Sequence, residues 1–148
     1  MKEPSVSDQI NSFKEKISID FSVKTDTERF VDTLVHTLLD KYTATEEGLH
    51  SVEALFVSLA AKVCDHPAQF CVEKWKKVLA KLPSVLGSLE KDANAFESCD
   101  PASTSLREIY LAYPGLYAIV VHRLAHLVQQ IGMPLIPRLM SELAHSRT

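Results

Sequence analysis

The sequence predicts an all-α protein, and three observations support this fold class. The chain has 148 residues but only 4 glycines, too few for the many tight turns of a multi-stranded sheet. Ser or Thr is followed three residues later by Glu at two places, a pattern that caps helix N-termini. Apolar residues recur at helical spacing along most of the chain. Together these features predict about six to eight helices and little or no sheet.

The chain up to residue 24 is the least regularly patterned segment. Apolar and polar residues alternate from Ile17 to Val23, which is typical of a short strand or an extended arm. Because no second strand is evident, we expect residues 1–24 to form an N-terminal arm that lies on the helices of this domain or on a neighbouring subunit. We expect residues 25–148 to form one helical domain.

The next three helices follow from caps, apolar stripes and proline positions. Thr25 and Glu28 predict a capping box, and an apolar stripe runs on from Phe30 to Tyr42. A second stripe, 49–63, predicts another helix. Pro67 suits the first turn of the helix after it, because its missing N–H is no loss there. That helix places apolar residues on one face and lysines on the other, namely Phe70, Cys71, Trp75, Val78 and Leu79 against Lys74, Lys76, Lys77 and Lys81.

The second half of the chain is divided by proline and glycine. Leu82-Pro83-Ser84 predicts a break, followed by a helix over about 84–96. A loop at 98–103 precedes a second capping box, Ser105 with Glu108. The short helix that it opens is expected to bend at Tyr113-Pro114-Gly115. The following helix extends to Ile131, with Gly132 as its C′ residue, and a last helix after Pro134 runs to about His145.

Composition and charge argue against several classes of function. The net charge is −3, with 12 Lys/Arg and 17 Asp/Glu in residues 1–100 and 4 Arg and 2 Glu in residues 101–148. The resulting +2 in the second part is too weak for a nucleic-acid surface. No apolar run approaches the roughly 20 residues of a membrane span, and the N-terminus lacks signal-peptide character. We therefore expect a cytoplasmic protein without nucleic-acid or membrane partners.

The three cysteines, Cys64, Cys71 and Cys99, are an odd number without close metal-type pairing. Cys64 and Cys71 fall at apolar positions of predicted helices. We expect them to be buried thiols in a reducing compartment.

Two groups of residues could carry chemistry. Asp100 before Pro101 is typical of a turn, although an exposed carboxylate there could also pair with an ammonium group; the residues alone favour the turn, with Ser103 or Ser105 capping the next helix. His122 and His126 could face one metal ion, but no third ligand is near in sequence and their neighbours are apolar. We expect packed, hydrogen-bonded histidines and no metal site. Isolated arginines, here Arg123, Arg138 and Arg147, are by default structural or solvated.

The last third of the chain, from Asp100, resembles the end of the helical N-terminal domain of serine O-acetyltransferases. The resemblance rests on four motifs, Asp100-Pro101-Ala102, Tyr113-Pro114-Gly115, His-Arg-x-Ala-His at 122–126 and Ser-Glu-x-x-His-x-x-Thr at 141–148. It implies a substrate-contact loop near 98–105, in which Asp100, with Pro101 and Ala102, binds the ammonium of serine. The resemblance thus reverses the preference for a turn residue alone, and it implies that the last helices, 115–146, lead to a left-handed parallel β-helix.

The resemblance also implies a reaction. Members of this family transfer the acetyl group of acetyl-CoA to L-serine, giving O-acetyl-L-serine in cysteine biosynthesis, with L-cysteine as feedback inhibitor and with a dimer of trimers as the assembly. Their catalytic His and acetyl-CoA groove belong to the β-helix, which has no counterpart in residues 1–148. We therefore expect no catalytic residue and no bound cofactor in this chain, and no activity from this chain alone.

A different class of function stays open, a non-enzymatic helical module for oligomerisation or regulation. In the resembling family the helical domain joins two trimers, and a chain of this length could do only that. The arm and the stripe of 30–42 offer more apolar surface than one small bundle readily buries. We therefore expect a dimer or larger assembly through residues before Asp100. A stand-alone helical regulator with another ligand is a third possibility.

Overall fold

The computed structural model describes residues 2–102 and 105–148, and within these residues it contains helices and no strand. The predicted all-α fold is confirmed. The seven helices of the described residues are α1 (Val6–Ile17), α2 (Ser22–Leu39), α3 (Thr45–Val63), α4 (Ala68–Cys99), α5 (Leu106–Ala112), α6 (Pro114–Gln130) and α7 (Ile136–Ser146).

The N-terminal segment is helical, so the expected strand or extended conformation is wrong. Ser5 begins α1 through a capping box, because its Oγ accepts the Asp8 N–H at 3.1 Å and the Asp8 carboxylate accepts the Ser5 N–H at 3.1 Å. The left-handed backbone of Ser18 (φ 50°) ends the helix. Every residue from Lys2 to Phe21 is exposed. The division of the chain at residue 24 stays a prediction.

Helix α2 begins three residues earlier than the sequence predicts. The Asp20 carboxylate accepts the Ser22 N–H at 2.9 Å, and Phe21 is the N-cap residue. Thr25 lies inside the first turns of the helix, so the predicted Thr25 capping box is wrong. The helix ends at Leu39, which leaves Tyr42 outside it and exposed.

An aromatic cluster joins α2, α3 and α4. Phe30, Phe56 and Trp75, one from each helix, are fully buried. Their ring centroids lie 4.9–6.0 Å apart, and Phe30 meets Trp75 edge-on at 72°, an arrangement that aromatic rings favour. The prediction of Trp75 as a buried anchor is confirmed.

Helix α4 is continuous through Pro83, so the predicted break at 82–84 and the separate helix over 84–96 are wrong. Proline costs an interior helix about 3 kcal/mol or more, and burial on both sides of it offsets that cost. Val78 and Leu82 are buried before Pro83, and Leu89 and Ala93 are buried after it. Pro67 is the N-cap residue, immediately before the helix.

A proline and a glycine shape the chain after α4. The axes of α5 and α6 meet at 73° beside Pro114, which confirms the predicted bend. Gly132 (φ 77°) follows α6 in a Schellman motif, in which its N–H bonds the Gln129 carbonyl and the Met133 N–H bonds the Val128 carbonyl. This confirms Gly132 as the C′ residue. From there the chain returns as α7 against α6 and α2.

Of the helices in the described residues, none on its own combines the length and the apolar character needed to cross a membrane. Helices α5 and α6 have the necessary length and apolar character only when they are taken together, and the two helices are sharply bent relative to each other. The apolar residues of α6 face the core, with Leu116, Val121 and Leu124 nearly inaccessible to solvent.

Helices α2 and α3 approach each other closely at Gly48. A Cβ on Gly48 would lie 2.4 Å from Oγ1 of the buried Thr37, too close for the two helices to keep their spacing. Gly87, on the exposed face of α4, has no atom within 4 Å of such a Cβ.

We therefore expect opposite effects from the two Gly→Ala substitutions. Gly48→Ala should lower the free energy of unfolding by about 1–3 kcal/mol through overpacking. Gly87→Ala should raise it by about 0.5–1 kcal/mol, because alanine restricts the unfolded chain and favours helix. Urea denaturation followed by circular dichroism measures both. Equal effects of the two substitutions would contradict the close approach of α2 and α3.

Candidate functional site

Asp100 lies at the C-terminal end of α4, where the chain turns toward α5. Its backbone N–H bonds the Phe96 carbonyl at 3.1 Å and so closes the last turn of α4. Its Oδ1 accepts the Ala102 N–H at 2.8 Å, which is an Asx-turn. Its Oδ2 accepts the hydroxyl of Tyr113, from the junction of α5 and α6. The side chain thus links the end of α4 to the start of α6.

Packing around Tyr113 explains why its hydroxyl meets Asp100. The Tyr113 and Phe96 rings meet edge to face, at 87° with centroids 6.0 Å apart. A Cβ on Gly115 would lie 3.3 Å from the Phe96 ring, so glycine there lets the start of α6 approach α4. Pro114 fits the first position of α6, where no N–H is required. The Tyr-Pro-Gly motif therefore determines the position of the Tyr113 hydroxyl and also produces the bend between α5 and α6.

The electrostatics of this pair favour an ionised Asp100 and a neutral Tyr113. The hydrogen bond from Tyr113 and then the backbone bond from Ala102 lower the pKa of the Asp100 carboxyl. The same side-chain bond, with burial and the charges of Asp100 and Glu108, raises the pKa of Tyr113 to about 12. Near neutral pH the site presents a carboxylate that accepts from a protonated phenol.

Asp100, Pro101 and Ala102, the predicted substrate-binding residues, form the described part of this turn. Pro101 and Ala102 are exposed directly after Asp100, while Ser103 is outside the described residues. Ser105 caps α5 as predicted, because its Oγ accepts the Glu108 N–H at 3.2 Å. The turn-forming role of Asp100 is visible in its bond to Ala102. Its role toward a substrate ammonium stays a prediction.

Arg123 joins α6 to α4 through an ion pair with Asp92. Its Nε and Nη2 donate to the two carboxylate oxygens of Asp92 at 2.7 and 3.0 Å, a bidentate geometry that stabilises the pair. Arg147 makes a similar pair with Asp32 at 2.7 Å and also bonds the Tyr117 hydroxyl. Arg138 pairs with Glu142 on the same helix. Arg123 and Arg147 thus link different parts of the fold, whereas Arg138 is largely solvated, which agrees with the expected structural or solvated roles.

The expectation of packed histidines at His122 and His126 is wrong, because both are exposed on α6. The apolar residues between them in sequence face the core, which leaves the histidines on the outer face. His126 is hydrogen-bonded to the Gln130 amide at 3.1 Å. Both histidines line an open cavity of about 360 Å³ between α6 and α7. Within the described part of the chain, no three His, Cys, Asp or Glu side chains are grouped to hold a metal ion.

The cysteines differ in their exposure. Cys71 is buried as predicted, and burial raises the pKa of its thiol. Cys64 is only half-buried, and its thiol donates to the Ala60 carbonyl at 3.1 Å. Cys99, near the candidate site, is exposed.

Sequence reasoning missed Tyr113 as a partner of Asp100. The two residues are 13 apart, and the motif around Tyr113 predicted only a bend. The sequence did show a tyrosine next to a Pro-Gly bend. A pattern of neighbouring residues, however, does not indicate which distant side chain the tyrosine hydroxyl contacts.

Comparisons with known proteins confirm the resemblance to serine acetyltransferases. No protein-family profile matches the chain. It is 46% identical over 67 residues to the plasmid serine acetyltransferase of Synechococcus elongatus, covering 45% of this chain and 21% of that protein. A serine acetyltransferase of Synechocystis is 42% identical over 60 residues, covering 40% and 24%. One of Mycobacterium tuberculosis is 36% identical over 58 residues, covering 39% and 25%. The match thus spans about a fifth to a quarter of the length of these curated relatives.

The Arg123–Asp92 pair yields a stability prediction. We expect Asp92→Asn to lower the free energy of unfolding by about 0.5–1 kcal/mol, because the charge-assisted bonds of a partly buried pair are lost. Glu142→Gln is the matched control, since its pair with Arg138 is far more exposed (78% and 55%, against 36% and 21% for Arg123 and Asp92). Urea denaturation at low and high NaCl measures both; a larger loss from Glu142→Gln would contradict the assignment.

Proposed function

We propose that this chain forms the helical N-terminal part of a serine O-acetyltransferase. The enzyme would transfer the acetyl group of acetyl-CoA to the hydroxyl of L-serine and supply O-acetyl-L-serine for cysteine biosynthesis. The observation that carries the proposal is the ionised Asp100 carboxylate, held at a defined turn within the motif Asp100-Pro101-Ala102. The serine acetyltransferases that match the chain support it.

Asp100 binds the ammonium group of L-serine in this proposal. A charge-assisted hydrogen bond between carboxylate and ammonium is roughly twice as strong as a neutral one. Pro101 and Ala102 line the same turn and limit the space beside the carboxylate. Holding serine by its ammonium fixes which atom is presented for acetylation. L-cysteine carries the same ammonium and differs in one atom, so it competes at Asp100 as inhibitor.

The chemical step belongs outside residues 1–148 in this proposal. A histidine of a β-helix domain acts as general base, and acetyl-CoA, the co-substrate, binds in a groove of that domain. His122 and His126 take no part in catalysis, and the chain itself holds no cofactor. The free thiols of Cys64, Cys71 and Cys99 fit a reducing compartment, and we propose a cytoplasmic location.

A second candidate, a non-enzymatic assembly module, is favoured by α1. Its apolar residues recur at spacings of four, three and four, which places them on one face, and no residue of this helix is buried. The four apolar residues are Val6, Ile10, Phe13 and Ile17, and their side chains are 43–73% exposed. An apolar helix face of this kind is typical of a helix that pairs with another. We propose that α1 joins copies of this chain, within a dimer of trimers if the enzyme proposal holds.

A chimera tests the enzyme proposal. Residues 1–148 would replace the corresponding helical part of the Synechococcus elongatus plasmid serine acetyltransferase, and acetyl-CoA-dependent formation of O-acetylserine would be assayed. We expect activity from the chimera and none from the isolated chain. Intact mass of the protein purified from its own cells would show what the native polypeptide contains. A folded but inactive chimera, with the relative itself active, would favour the non-enzymatic module.

Asp100→Asn in the active chimera tests the ammonium site. A hydrogen bond to a charged group is worth about 1.5–3 kcal/mol, so we expect the serine KM and the cysteine inhibition constant to rise together by about ten- to a hundredfold. The KM for acetyl-CoA should hardly change, because acetyl-CoA presents no ammonium there. Asn keeps the size and turn-forming ability of Asp. Unchanged serine and cysteine binding in this variant would leave Asp100 as a turn residue only.

Phe13→Asp tests assembly through α1. A buried charge would oppose pairing of the apolar faces, and we expect the dissociation constant of the oligomer to rise by more than about tenfold. Asn11→Asp, on the polar side of the same helix, is the control and should leave assembly unchanged. Analytical ultracentrifugation of the 148-residue chain measures both. A wild-type chain that is monomeric at high micromolar concentration would overturn the proposal.

A further inference from the structure

We infer that Tyr113 is the positioning residue of the ammonium site, holding the Asp100 carboxylate at one orientation through its hydroxyl. The inference rests on the proposed function, because it assigns Tyr113 a role in binding L-serine and L-cysteine. Tyr113 acts through Asp100 and need not touch the ligand.

The two described donors fix the carboxylate at different oxygens. The Ala102 N–H holds Oδ1 and belongs to the same turn as Asp100, whereas the Tyr113 hydroxyl holds Oδ2 and comes from the start of α6. The bond to Oδ2 adds a restraint on the last torsion of the side chain to the one that the bond to Oδ1 supplies. Donors on both oxygens fix the plane of the group, and a carboxylate has about four lone-pair positions in all.

Tyr113 is itself held in place. Its backbone N–H closes α5 on the Ile109 carbonyl at 3.3 Å, and Pro114 follows it. Its ring meets the edge of Phe96 from α4, which is the helix that ends at Asp100. The orientation of the carboxylate is thus set before a ligand arrives, which reduces the ordering that binding requires.

The neutral character of the phenol matters as much as its position. Asp26, Asp32 and Asp92 are each paired with a cation, from Lys62, Arg147 and Arg123. Those cations cancel most of the charge that a ligand ammonium would meet. Ala102 and Tyr113 are both neutral donors, so the bonds that they donate to Asp100 orient the carboxylate without themselves cancelling its charge.

The first test measures the Asp100–Tyr113 bond in the 148-residue chain, whatever its function. Carboxyl ¹³C NMR would follow the titration of Asp100 in wild type, Tyr113→Phe and Tyr110→Phe. Loss of the Tyr113 hydroxyl should raise the pKa of Asp100 toward its ordinary value, because that bond favours the ionised form. Tyr110→Phe removes a phenol from the same helix region and should leave it unchanged. An Asp100 titration that is the same in all three proteins overturns the inference.

The second test uses the active chimera and separates positioning from damage to the fold. Tyr113→Phe keeps the ring against Phe96. We expect the serine KM and the cysteine inhibition constant to rise by about three- to tenfold, less than for Asp100→Asn because the charge remains. kcat and the acetyl-CoA KM should stay within about twofold. The acidic limb of kcat/KM for serine should move to higher pH, following the raised pKa of Asp100.

The outcomes distinguish the inference from the proposed function. If Asp100→Asn weakens serine binding and Tyr113→Phe does not, the positioning role is wrong and the proposed function stands. If Tyr113→Phe lowers kcat and raises the acetyl-CoA KM equally with the serine KM, its role is structural and the inference is wrong. If the chimera is inactive, the proposed function is wrong, and the role of Tyr113 in ligand binding is wrong with it. The NMR titration still shows in that case whether Tyr113 donates a hydrogen bond to Asp100.

Discussion

The contact of Trp75 with Phe30 and Phe56 is the interaction on which the rest of the structure depends. It is the only place in the described residues where three helices meet through fully buried aromatic rings. Because α4 continues without a break from Ala68 to Cys99, this contact also fixes the direction of a rod about 48 Å long. The candidate site lies at the far end of that rod, about 37 Å of helix away from Trp75. The aromatic core therefore positions a carboxylate that it does not touch.

The site shows how the same hydrogen bonds can close a turn and favour the charged form of a carboxylate. Asp100 closes a turn by accepting the Ala102 N–H, and the same bond lowers the pKa of its carboxyl. The choice between a turn residue and a ligand-binding residue was therefore too sharp, because the bonds that make the turn also prepare a charged group.

Most patterns confined to one helix predicted the structure well, with the capping pattern at Thr25 as an exception, and patterns that depend on distant contacts did not. The stripe on α3, the bend at Pro114 and the Schellman glycine Gly132 follow from local chemistry. Pro83 predicted a break in the helix, but α4 continues through it because residues on both sides of Pro83 are buried against other helices. Thr25 and Glu28 matched a capping box, but the carboxylate of Asp20 begins the helix one turn earlier.

The candidate site was likewise predictable in part. Asp100 could be predicted because its motif and the resemblance to a known family can both be recognised in the sequence alone. Its bond to Tyr113 depends on the angle between α5 and α6 and on the close approach of Gly115 to Phe96, which no local pattern contains. The exposure of His122 was mistaken because apolar neighbours in sequence point to the opposite face of a helix.

Pro83 also interrupts the backbone hydrogen bonding of α4. Proline has no N–H, so the carbonyl of Leu79 receives no helical hydrogen bond from it, and the backbone ladder is interrupted between the part of α4 that holds Trp75 and the part that ends at Asp100. Buried side chains on both sides of Pro83, Leu82 before it and Leu89 after it, therefore hold the two parts of α4 together where the backbone bond is missing.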